Sequence, residues 1–206
     1  GRSAHASTPQ LGLNPNFSLA RFLLALRELP LRKDAVYGGT TVAPTLLYVD
    51  QKASNVIPAE ASVVLDWRNA PGETLAEALA AVEVLARQCA EEGITWHAGV
   101  PDHEEISYTG ASSQLDASFG SFDTPPDDPR LLQAQGLLHK YLRRPFPAGV
   151  WQFCTDGGHL AQTGITCLGF GPGDEHMAHV LDERVAVDEL VEAALAYAIL
   201  AAELEI

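Results

Sequence analysis

Between Thr74 and Cys89 the apolar residues Leu75, Ala78, Leu79, Val82, Leu85, Ala86 and Cys89 recur at helical spacing, so one face of a helix is apolar along its whole length. Thr74-Leu75-Ala76-Glu77 opens that helix with a capping box, in which hydroxyl and carboxylate satisfy the free N–H groups of the first turn. A helix striped in this way is stable only against a second layer. The preceding stretch supplies one: across Ala61–Trp67, Val63, Leu65 and Trp67 alternate with Ser62, Val64 and Asp66, the period of a strand. Pro71-Gly72 makes the turn between the two.

The same logic extends in both directions. A helix is expected from Asn14 to Leu29, with Asn14 as N-cap, Pro15 at the first helical position and Pro30 as the stop. A strand rich in Thr, Val and Tyr is expected at Thr41–Asp50, and another at Ile94–Val100 after Gly93 ends the second helix. The first hundred residues thus read helix, strand, strand, helix, strand. Two helices on one face of a sheet bury these stripes, and a ferredoxin-like unit needs one more strand ahead of the first helix.

Residues 101–128, rich in Pro, Ser, Asp and Gly, read as a connector. Beyond it the expected elements are a helix at Pro129–Tyr141, a strand near Gly149–Cys154 and a short helix from Thr155 to Gly164. A compact apolar strand at Ile165–Phe170 follows, and then a last helix from about Asp188 with Leu190, Ala194, Tyr197 and Ala201 on one side. This alternation is α/β with too few strands for a closed sheet.

Charge and cysteine usage narrow the function. Thirteen Lys and Arg stand against 27 Asp and Glu, a net charge of -14, which argues against nucleic acid and anionic membrane as partners. No apolar run is long enough to span a membrane. The three cysteines, Cys89, Cys154 and Cys167, form no CxxC pair and favour a reducing, cytoplasmic setting, with Cys89 and Cys167 as small core residues. Position 1 is Gly rather than Met, from which we expect the native N-terminus to lie upstream.

Chemistry-bearing residues are scattered. No HExxH, GxSxG, dinucleotide-binding or P-loop pattern occurs among the 206 residues. His176 and His179 follow a glycine-rich loop amid Asp174, Glu175, Asp182 and Glu183, a set that reads either as a metal site or as a hydrated acidic loop. His5, in Ser3-Ala4-His5-Ala6-Ser7, reads as a turn residue or a hydrogen-bonding partner. Asp66 and Arg68 share a strand face and read either as an ion pair or as a carboxylate clamp. Asn55 suits a turn, and Thr155 a helix cap.

Three blocks in order along the chain carry a resemblance. They are Gly1-Arg2-Ser3-Ala4-His5-Ala6-Ser7 with Pro9 and Gly12-Leu13-Asn14; Ser54 to Glu60 with Leu65-Asp66-Trp67-Arg68 and Pro71-Gly72-Glu73-Thr74; and Thr155-Asp156-Gly157 with Gly169 to Gly173, Ala178-His179 and Glu183. Together they resemble the M20 family of metallopeptidases and deacylases, and Ser107-Tyr108-Thr109-Gly110 resembles its deacetylase-like branch. The resemblance implies a ferredoxin-like dimerisation lid over residues 1–110, lacking most of its first strand, followed at 111–206 by the C-terminal part of an α/β zinc-peptidase domain. It implies a hydrolase of amide bonds in N-acyl amino acids or short peptides, homodimeric through the lid.

In the family a water bridging two Zn2+ ions, for which Co2+ or Mn2+ can substitute, attacks the amide carbonyl. By position, His179 matches the last metal ligand and His5 the lid histidine that stabilises the oxyanion in the partner subunit's site. Asn55 and Arg68 match lid residues that hold substrate, and Thr155 lies in a loop lining the pocket. The remaining ligands and the general base have no counterpart after Gly1, so these 206 residues are expected to be inactive alone. The competing reading is a non-catalytic dimerisation or binding module with the same lid.

Overall fold

A computed structural model describes residues 1–116, 118–151 and 153–205. They fall into two compact units, within 1–117 and 118–206, where the sequence placed the division at 110/111.

In the first unit, strand β1 (Ala4–His5) leads through a short 3-10 turn at Pro9–Leu11 to helix α1 (Pro15–Leu26). Asn14 caps α1, its Oδ1 accepting from the Asn16 N–H at 3.1 Å, and Pro15 occupies the first position. The helix ends at Leu26, before the expected Leu29. Two small strands, β2 (Lys33–Asp34) and β3 (Gly38–Gly39), pair with each other. Strands β4 (Thr41–Val49) and β6 (Ala61–Arg68) form the main antiparallel ladder, with Val42 opposite Trp67 and an irregularity between Pro44 and Leu46. Between them, β5 (Val56–Ile57) pairs with β1.

Helix α2 (Leu75–Cys89) carries the expected capping box in full. Its Leu85 and Cys89 meet Phe22 and Leu26 of α1 in a buried cluster, with Val42, Val63 and Leu65 of the ladder packed against it. The two helices therefore lie on one face of β4–β6, as the stripes required. The buried Ser18 hydroxyl accepts from the Glu91 N–H at 2.9 Å and ties the start of α1 to the end of α2.

Three expected strands are not strands. Ile94–Val100, Ile165–Phe170 and the described part of Gly149–Cys154 lie outside any ladder; residue 152 is outside the described residues. Apolar content drives a segment toward burial, but a strand exists only where a second backbone accepts its hydrogen bonds. Conversely, the expected connector contains a hairpin, β7 (Asp102–Ile106) and β8 (Ser112–Asp116), with Ser107-Tyr108-Thr109-Gly110 as its turn. Gly110 adopts φ 84°, which that turn requires.

The second unit contains helices α3 (Pro129–Leu142), α4 (Gly157–Gln162) and α5 (Val187–Glu203). Helix α3, capped by Asp128, packs on α5, and the buried residues of the pair are Ala134, Leu138, Ala193, Ala196 and Ile199. The face expected for α5 was different: Leu190 and Tyr197 are about half exposed. Apolar residues surround α5 almost entirely, so periodicity does not select a face, and the small side chains of Ala193 and Ala196 permit the closer approach. Cys89 is buried as expected, whereas Cys167 is only half-buried and lies in no strand.

Candidate functional site

The β1–β5 ladder brings two of the singled-out residues together. His5 is registered with Val56, and the Ala6 N–H donates to the Asn55 carbonyl at 2.9 Å. His5 thus sits beside the Asn55 turn despite the long chain segment between them. The corner is closed by local bonds. The His5 carbonyl accepts from the Thr8 N–H at 2.9 Å, and His5 Nδ1 accepts from the Ser7 N–H at 3.2 Å, with Ser7 Oγ 2.7 Å away. Ser7 was not singled out in the sequence; a serine two residues after a histidine is the only signal it offers.

Arg68 belongs to the opposite end of the ladder. β6 rises about 23 Å from Ala61 to Arg68 at roughly 3.3 Å per residue. The 55–60 segment is tied to the Ala61 end, since both Asp50 carboxylate oxygens accept from the Ala59 N–H, at 3.1 and 3.3 Å. Arg68 faces away from the helices, on the side opposite Val63 and Leu65. Its Nε and Nη2 donate to the two Asp66 oxygens at 2.5 and 2.8 Å, a fork-to-fork pair with both side chains about 40% exposed. The guanidinium is therefore oriented by an internal carboxylate while staying accessible to solvent.

A polar knot steadies this end of the strand. The Glu73 carboxylate accepts from the Thr40 hydroxyl at 2.6 Å and from Trp67 Nε1 at 3.3 Å. The buried Thr40 Oγ1 in turn accepts from the Ala70 N–H at 3.0 Å, and Arg32 Nη1 donates to the Gly72 carbonyl at 2.9 Å. Neither Thr40 nor Arg32 carries a sequence signal, because their partners lie 30 or more positions away.

Thr155 and His179 lie in the second unit. Thr155 Oγ1 accepts from the Gly157 N–H at 3.2 Å, but the residue stands one position ahead of the expected cap: Asp156 is the N-cap of α4 and makes no side-chain cap bond. His179 holds a left-handed backbone, φ 60°, and its N–H donates to the Glu183 carboxylate at 3.1 Å. His176 Nδ1 lies 2.8 Å from Asp174 Oδ1, and that carboxylate raises the pKa of the imidazole above its usual value. No three His, Cys, Asp or Glu side chains converge to hold a metal ion among the described residues. One imidazole does not hold Zn2+, so the residues present do not by themselves fit a zinc centre. No helix of the described residues is long and apolar enough to cross a membrane.

Residues 1–94 match the family model described as a peptidase dimerisation domain, M20_dimer. Over 199 residues the chain is 29% identical to N-formyl-4-amino-5-aminomethyl-2-methylpyrimidine deformylase of Bacillus subtilis, covering 91% of this chain and 45% of that protein. It is 27% identical to acetylornithine deacetylase of Myxococcus xanthus, covering 97% of this chain and 50% of that protein. Among solved structures, aminopeptidase PepT of Bacillus cereus superposes with a TM-score of 0.62 at 17% identity, over 96% of this chain and 48% of its own, a likeness of fold. The chain spans about half the length of the curated relatives it matches.

Proposed function

From the premise that this chain belongs with the M20 hydrolases, carrying their peptidase dimerisation domain over residues 1–94, we propose that it forms part of a metal-dependent hydrolase of amide bonds in N-acyl amino acids or short peptides. The observation that supports this most is the β1–β5 ladder, which sets His5 beside Asn55 at an exposed corner of that domain. His5 donates a hydrogen bond to the oxyanion that develops as the amide carbonyl becomes tetrahedral, where a positioned donor acts most strongly. Asn55 holds the substrate next to it.

Arg68 binds the substrate carboxylate through the fork that now grips Asp66, and the incoming carboxylate replaces Asp66 there. Thr155 contributes to the pocket wall. His179 is the metal ligand this chain supplies. Its backbone is left-handed, a conformation that costs any residue with a Cβ and that is held at functional positions more often than elsewhere. A zinc ion held by His179 together with further ligands would supply Lewis-acid polarisation of the carbonyl and a more acidic water. Among the described residues no set of ligands sufficient for this converges, and the 206 residues alone should hydrolyse no amide.

The span of β6 bears on assembly. His5 and Asn55 at one end of the ladder and Arg68 at the other cannot close on one small ligand within a single copy. A homodimer formed through this domain supplies them to each site from two copies. The outer edge of β4 supports that arrangement. It pairs with no strand among the described residues, and Leu46, Leu47, Tyr48 and Val49 along it are 50, 59, 55 and 48% exposed. A groove of about 250 Å³ runs between Leu19 and Leu23 of α1 and Leu47 and Val49 of β4. Paired edges and filled grooves are what a second copy would provide.

The test is kinetic, in a protein that holds the full metal site. Arg68→Ala should raise KM at least tenfold for substrates with a free α-carboxylate, about 1.4 kcal/mol or more, and leave carboxylate-free amides nearly unaffected. His5→Ala should lower kcat while bound zinc stays constant. Equal loss on both substrate classes contradicts the clamp, and loss of zinc contradicts the role of His5. An absence of hydrolysis in every form leaves the dimerisation module.

A further inference from the structure

We propose that Ser7 is a positioning residue that holds the neutral His5 ring in its Nε2–H tautomer. The geometry stands alone; its catalytic consequence rests on the function proposed above. The Ser7 backbone N–H has no lone pair to offer, and it points at His5 Nδ1 from 3.2 Å. A ring protonated on Nδ1 would set two hydrogens against each other, so Nδ1 presents its lone pair. Ser7 Oγ lies closer, at 2.7 Å, and its rotatable hydroxyl turns its hydrogen to the same lone pair. A neutral imidazole carries one proton, and that proton is therefore on Nε2.

The backbone turn that carries the ring is closed by the bonds from the Thr8 N–H and hydroxyl to the His5 carbonyl, at 2.9 and 3.3 Å. His5 Nε2 has no hydrogen-bond partner among the described residues, and the side chain is exposed. The outward-facing atom is thus a donor. The other tautomer would present a lone pair to a developing negative oxygen, which repels it. The Ser7 backbone N–H and the Ser7 hydroxyl together favour the ring that stabilises an oxyanion over the one that opposes it, and the shorter of the two contacts is the hydroxyl's.

The experiment reads the tautomer directly. Long-range 1H–15N spectra of the 206-residue chain with 15N-labelled histidine, above the titration range of the rings, give the protonation of both nitrogens, with His5→Ala identifying the His5 signals. The wild-type ring should show a protonated Nε2 and a pyridine-like Nδ1. Ser7→Ala should raise the Nδ1–H population several-fold while backbone amide shifts elsewhere stay put, and Ser7→Thr should restore it. A wild-type ring protonated on Nδ1, or a Ser7→Ala ratio equal to wild type, overturns the proposal. In the hydrolysing protein, Ser7→Ala should lower kcat several-fold at little-changed KM, with recovery in Ser7→Thr. Should His5→Ala leave kcat intact while the tautomer result holds, the oxyanion role falls and the tautomer assignment stands, so the two failures are distinguishable.

Discussion

The Asp174 carboxylate accepts from both the backbone N–H and the ring of His176. The backbone bond first, then the ring, holds Asp174 below the usual carboxylate range. The hydrogen bond to Asp174, with the charges of Asp174 and Glu175, lifts His176 above the usual imidazole value. The signs follow from linkage. A raised imidazole pKa contributes stability that is fully present below its unfolded value and lost as pH rises through the folded one. A depressed carboxylate pKa contributes stability that is lost as pH falls through its folded value. Both side chains are well exposed, so solvent keeps the effect on stability small. The titration itself is measurable: Asp174→Asn should bring the NMR midpoint of His176 down toward that of an ordinary histidine, and an unchanged midpoint would refute the pairing.

A second residue-scale outlier is Arg143, which closes α3 in the left-handed region at φ 59°. Glycine adopts that conformation at no steric cost. Arg143→Gly should therefore stabilise the second unit by up to about 1 kcal/mol, read as a higher urea midpoint at constant m-value. Nothing in the residue's identity announced this, although Pro145 two positions on marks the end of the helix.

At the scale of elements, α2 carries two separable contributions. Its capping box serves the first turn, and Thr74→Ala should cost about 1 kcal/mol. Its buried stripe serves the core, and Leu85→Ala should cost about 2–5 kcal/mol through lost burial and the cavity left behind. Urea unfolding of both variants checks the order, and a cap costing more than the core residue would overturn this assignment of roles. Both features are legible in the sequence, because caps and amphipathic spacing are local. The hairpin β7–β8 is not, since its turn lies in a polar stretch whose composition equally suits a loop. The segments Ile94–Val100 and Ile165–Phe170 mislead in the other direction, as their apolar character says nothing of a partner for their backbones.

For the whole molecule, the proposed homodimer makes a prediction of its own. Leu47→Glu places a charge on the half-exposed edge of β4 beside the α1 groove, which disfavours edge-to-edge pairing. Sedimentation or light scattering should then report a monomer where the unaltered chain is a dimer, with far-UV circular dichroism unchanged. A variant that still dimerises would move the interface elsewhere.

By itself the sequence determined the order of helices and of the β4–β6 pair, the caps at Asn14 and Thr74, and the core residues Leu85 and Cys89. Each is written in spacing or in side-chain chemistry within a few positions. It also carried the three ordered blocks on which the family resemblance rests. Tertiary structure alone decided that His5 lies against the Asn55 turn while Arg68 stands at the far end of the ladder, because strand register sets those positions. It alone decided that the Ser7 N–H meets the His5 ring, that Thr40 and Glu73 knot the strand end, and which face of α5 is buried. These are relations between backbones and side chains brought together through space, and a period along the chain carries no distance across it.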